Sequence, residues 1–135
     1  MSSLYLAPAQ RPRLVSFIAF VYLTLNLSLL GLLALDLGHP QTRADFLALS
    51  LFARLMSVVS PLLEIIAAVA LALLRRVAAP LFTLDLVLIA AHWLTPEAAS
   101  HAPTSTYTLA NAVGTAIAVA VCLYSWQLRR RGTLH

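Results

Sequence analysis

The chain predicts an all-α integral membrane protein: a bundle of four transmembrane helices with both termini in the cytoplasm. Three observations carry this. Hydrophobic residues make up 61% of its 135 residues and charged residues only 10%, which is too apolar for a soluble domain to cover its surface. The apolar residues fall into four long runs, near 14–37, 48–74, 77–94 and 107–128. The basic residues are all arginine, and most stand at one set of run ends. The length leaves room for one membrane domain and no second core.

Each run has its own stops. Residues 1–13 hold two Pro, two Arg and small polar residues, as a loosely ordered cytoplasmic tail would. The run that follows is too long for the apolar region of a secretory signal, and no small-x-small cleavage site follows it. Helix one ends at Asp36, Gly38 and Pro40. Residues 38–46, GHPQTRADF, read as a short polar loop. Arg75 and Arg76 separate helices two and three, which form a tight antiparallel hairpin. Residues 95–106 form a second loop rich in Pro, Ser and Thr, and helix four stops at Arg129, Arg130 and Arg131. Arg11, Arg13, Arg75, Arg76, Arg129, Arg130 and Arg131 then lie on one side, which is the cytoplasmic side by the positive-inside rule. Trp93, Tyr107, Tyr124 and Trp126 sit near helix ends, as interfacial aromatics do.

The net charge of +4 is therefore a topology signal. The basic patch interleaved with aromatics that a nucleic-acid binder needs is absent. The single Cys122 excludes an internal disulfide and reads as a small packing residue. The four His show no paired spacing for a metal or a haem, and no nucleophile–base motif or phosphate loop is present.

Polar residues inside the runs are the candidate site. In helix two, Ser50, Arg54, Ser57, Pro61, Glu64 and Ala68 follow at steps of four and three, a single helical stripe. Glu64 lies roughly 15 Å and Asp85 roughly 13 Å from the hairpin turn, at 1.5 Å per residue, so the carboxyls share a level. If they face each other they cannot both be ionised, and one holds a proton at neutral pH. His92 stands seven residues after Asp85, and Arg54 shares the stripe of Glu64. Asn111 belongs to a stripe in helix four: Thr104, Thr108, Asn111, Thr115, Ala118, Cys122 and Ser125. Asn26 adds a polar group near the middle of helix one, and Asp36, His39 and His101 would stand at the outer mouth. Ionisable groups in a membrane interior are expensive unless paired, so Glu64, Asp85, His92, Arg54, Asn111 and Asn26 form the expected ligand site or proton relay. The alternative is structural: interhelical hydrogen bonds, packing by the Thr stripe and a snorkelling Arg54.

The stretch PLLEIIAAVALALLRRVAAPLFTLDLVLIAAHWL, residues 61–94, resembles the DoxX-like family of small four-helix bacterial membrane proteins. The resemblance rests on Glu64 early in the second helix, the basic turn at Arg75 and Arg76, and a third helix ending near His92. It covers about a quarter of the chain. The sequence departs from the family in helix one, which lacks an early arginine, and in the basic turn, which lacks its Gly. The resemblance implies a bacterial inner-membrane protein that accompanies redox enzymes, including quinone-linked ones. Two functions are expected, the first from this resemblance and the lack of a catalytic motif, the second from the polar stripes alone. One is an accessory or binding subunit of a redox or respiratory membrane complex, with a quinone-sized polar pocket. The other is a proton-coupled transporter or channel-like homo-oligomer working through Glu64 and Asp85. Both place the chain in the lipid bilayer, with a redox partner or further copies of itself beside it.

Overall fold

The computed structural model describes residues 13–94 and 105–134, with the backbone alone for 105–111. Every element among them is helical: α1 (Arg13–Leu37), α2 (Pro40–Ala48), α3 (Leu51–Ala72), α4 (Ala78–Trp93) and α5 (Ser105–Arg130). Three helices are long and apolar enough to cross a membrane: α1, α3 and, over Ala112–Arg130, α5. The fourth, α4, is apolar but shorter, at 16 residues.

The segment expected as a polar loop is largely α2. Pro40 stands at its first turn, where a missing N–H is harmless and the fixed φ suits a helix. The Thr42 hydroxyl donates to the carbonyls of Asp36 and His39, tying α2 back to the end of α1. The long helix then begins at Leu51 rather than near Ala48. Ser50 caps it by accepting from the Ala53 N–H at 3.2 Å.

Neighbouring helices pack in sequence order, α1 on α3, α3 on α4, and α4 on α5. Cross-helix hydrogen bonds fix an antiparallel register: Asn26 with Glu64, Ser60 with Asp85, and Trp126 with Thr83. The arginines at the start of α1, the end of α3 and the end of α5 therefore gather at one end. That basic end is tightly packed. Ala67, Ala68, Leu71, Ala78, Ala79 and Phe82 are buried there, and the alanines let α3 and α4 approach closely. On α1 the buried residues are Val15, Ala19, Tyr22 and Asn26, one stripe at steps of four, three and four. Beyond Asn26 no residue of α1 is buried. Among the described residues the other half is accordingly less closely packed.

Two helix ends use left-handed residues. At the end of α5, Gly132 has φ +70°, and Thr133 N–H reaches back to the Leu128 carbonyl at 3.1 Å. Leu134 is thereby turned into the core, where it is fully buried, and Arg76 Nε donates to its carbonyl at 3.2 Å. At the end of α3 the same motif is closed by Leu74, at φ 53°, with Arg75 N–H bonded to the Ala70 carbonyl at 2.8 Å. A backbone of this hand favours glycine, and here a leucine holds it.

The outward faces carry Phe17, Phe20, Leu27, Leu35, Leu55, Ile66, Leu84, Val87 and Leu123, all exposed. Such a surface is far too apolar for water and suits lipid.

Candidate functional site: a cleft with a carboxyl floor

The less closely packed half encloses a cleft of about 1020 Å³ lined by α1, α3, α4 and α5. Its walls are mostly apolar, among them Val21, Leu25, Leu29, Leu33, Met56, Ile89 and Ile117. Its floor is polar. Asn26, Ser60 and Glu64 line it, with Asp85 immediately behind and only 2% exposed.

The floor is built from three helices. Asn26 is the last buried residue of α1, and its amide donates to the Tyr22 carbonyl at 2.9 Å and to Glu64 Oε2 at 2.7 Å. Ser60, one turn before Glu64 on α3, donates to Asp85 Oδ1 at 2.7 Å. The carboxyls of Glu64 and Asp85 lie within hydrogen-bonding reach of each other. A carboxyl–carboxyl hydrogen bond exists only when one partner carries a proton, because an ionised carboxylate has no donor. Tyr22 supports the floor from below and packs edge-on against Phe82 of α4, ring centroids 5.6 Å apart. Pro61, three residues before Glu64 and in the cleft wall, has no N–H to give the Ser57 carbonyl its helical bond.

Of the residues singled out in the sequence, Asn26, Glu64 and Asp85 come together. His92 and its chain neighbour Trp93 line the cleft nearer its mouth, and Asp36 lines it from α1. Arg54 is not among the lining residues. Its guanidinium Nε is buried without a hydrogen-bond partner, and its backbone carbonyl accepts from Ser57 at 2.8 Å. The side chain of Asn111, and His101, lie outside the described residues. In the α5 stripe, Ala118, Cys122 and Ser125 are buried and Thr115 lines the cleft. Cys122 packs beside Thr83 at 3.5 Å, and Trp126 Nε1 donates to that same hydroxyl at 2.9 Å. This second polar knot joins α4 to α5 below the cleft. Among the described residues no group of three metal-ligating side chains occurs.

Sequence reasoning missed Ser60 and the role of Tyr22. Ser60 had a usable signal, since a residue four before Glu64 sits one turn away on the same side of the helix. No family model, no curated protein and no solved structure matches the chain.

Proposed function

We propose that the chain is a small polytopic membrane protein that binds an amphipathic molecule in the cleft, as a binding subunit of a redox or respiratory membrane complex. The observation that carries this is the contrast within one cavity. Apolar walls of four helices enclose a volume suited to a quinone-sized ring, and a single polar cluster closes its floor. In this reading α4 is a fourth span. Its 16 residues reach about 24 Å at 1.5 Å each, short of a bilayer core by a few ångström that local thinning accommodates. The arginine-rich end faces the cytoplasm, and the DoxX-like resemblance suggests a bacterial inner membrane. Proton-coupled transport is the second reading, favoured by two carboxyl groups, Glu64 and Asp85, brought together at the floor. Among the described residues the basic end is closely packed, so that reading needs an oligomer.

The test is saturable binding. Trp93 lines the cleft, and titration of the protein in nanodiscs with decylubiquinone should quench its fluorescence to a plateau. Gly114 also lines the cleft and has open space where a Cβ would stand. Gly114→Leu should narrow the cavity, keep the fold and weaken saturable binding, shifting the plateau to higher ligand concentration. Linear, non-saturating quenching that is identical in both proteins would mean partition into lipid and would defeat the reading.

A further inference from the structure

We propose that the arginine-rich end carries a binding site for the head group of an anionic phospholipid, built on Arg76 and Arg129 where the start of α4 meets the end of α5. It rests on the chain lying in a bilayer and is independent of what the cleft binds. The charge at this end is permanent. Arg13, Arg75, Arg76, Arg129, Arg130 and Arg131 stand there and all are exposed, and a guanidinium stays protonated. No acidic side chain answers them. Of the five Asp and Glu in the chain, Asp36 and Asp45 lie at the other end, on α1 and α2. Glu64 and Asp85 are roughly 13 Å or more along α3 and α4 from Arg75 and Arg76, at 1.5 Å per residue. Glu97 follows α4, outside the described residues. Residues 1–12 and 135, also outside them, contain neither Asp nor Glu.

The fold also holds two of these arginines still. Arg76 donates from Nε to the Leu134 carbonyl at 3.2 Å, and Leu134 is itself fully buried. That bond uses one of the five N–H groups of the guanidinium. Arg129 lies over the Trp126 ring, 4.9 Å from its centroid, and Trp126 is pinned to α4 by its bond to Thr83 at 2.9 Å. The two arginines thus come from neighbouring antiparallel helices that pack together. Charge that only sets topology acts by its number on one side and needs no such fixing. A fixed guanidinium suits a phosphate, which it meets with paired N–H groups and little side-chain freedom left to lose. The depth suits a lipid. The apolar runs stop at Leu74 and Leu128, so the arginines stand at head-group level, and exposed Leu84, Val87 and Leu123 offer α4 and α5 surface to its acyl chains.

The experiment uses the full-length protein in phosphatidylcholine vesicles. Trp93→Phe leaves Trp126 as the remaining one of two tryptophans. A low, fixed mole fraction of lipid brominated near the head group is present in both leaflets, as phosphatidylglycerol or as phosphatidylcholine. Bromine quenches tryptophan on contact. One basic side chain at a membrane surface favours an anionic lipid about fivefold. Brominated phosphatidylglycerol should therefore quench Trp126 as strongly as about five times as much brominated phosphatidylcholine. Arg129→Gln and Arg130→Gln each remove one exposed charge from α5, and Arg130 stands about 100° further round the helix. Arg129→Gln should lose most of the excess, Arg130→Gln should keep it, and Arg76→Gln should behave like Arg129→Gln. Because Arg76→Gln could loosen residues 132–134, the two α5 variants decide. Equal quenching by the two lipids overturns the proposal. Equal loss in Arg129→Gln and Arg130→Gln overturns it too, since it means diffuse attraction to the whole end. Loss of the excess in inorganic phosphate, but not in chloride of the same ionic strength, assigns the site to a free anion and overturns the lipid.

Discussion

Replacing Asp85 by Asn and by Ala separates what its shape does from what its charge does. Asp85 is 2% exposed, accepts from Ser60 at 2.7 Å and meets Glu64 on its other side. Asparagine has nearly the same shape. Its carbonyl oxygen can keep the bond from Ser60, and its amide can donate to Glu64 without borrowing a proton. Asp85→Asn should therefore change stability by less than about 1 kcal/mol. Alanine removes both bonds, strands the Ser60 hydroxyl and leaves Glu64 facing a void. Two lost bonds at about 1–2 kcal/mol each, discounted for the partners that a membrane-inserted unfolded chain still finds, give roughly 2–3 kcal/mol. Reversible unfolding of the three proteins by SDS in mixed micelles measures both differences. A loss for Asn as large as for Ala would refute the reasoning. It would mean that the negative charge itself, and not the hydrogen-bond geometry, holds the floor together.

Two other expectations follow from helix ends. Leu74 occupies a left-handed conformation while its side chain packs on the core. Leu74→Gly should be close to neutral, because relief of about 1 kcal/mol of backbone strain offsets lost packing, whereas Leu74→Val should destabilise by at least about 1 kcal/mol; the same SDS titration checks both, and equal behaviour of Gly and Val would count against the assignment. Leu134→Ala should cost about 2–3 kcal/mol, as for other fully buried leucines, and should speed proteolysis after the arginines at the end of α5. Unchanged stability and cleavage would mean that the fold-back of residues 132–134 is not held.

The apolar runs made the long helices legible, because hydropathy over 20 residues is a strong signal. Leu14 to Leu37 and the runs holding Glu64 and Asp85 fall close to α1, α3 and α4. The common depth of Glu64 and Asp85 was also legible, from helical rise alone. Their contact was not, since it depends on how α3 and α4 are rotated about their axes. Asn26 was visible as polar and mid-span, but its partner depended on the packing of α1 on α3. The helix α2 was missed for a different reason. Nine residues of mixed polarity carry no period, and Pro40 was read as the stop of one helix when it is the start of another. Leu74 gave no hint of its left-handed backbone, because the usual signal there is a glycine. Arg54 looked like part of the Glu64 stripe, yet ten residues at 100° each leave it about 80° away around the helix, enough to place it off the cleft.

Beyond Asn26 no residue of α1 is buried, and among the described residues α1 and α5 face each other across the cleft with little packing between them. That seam faces the direction from which lipid, not water, would arrive. A guest entering there is drawn from a solution in acyl chains, where an apolar molecule is already enriched over the aqueous phase. Occupancy would then follow the mole fraction of guest in the bilayer. Two preparations at one aqueous concentration but different lipid-to-protein ratios would fill to different extents, so titrations of this chain are best expressed per lipid.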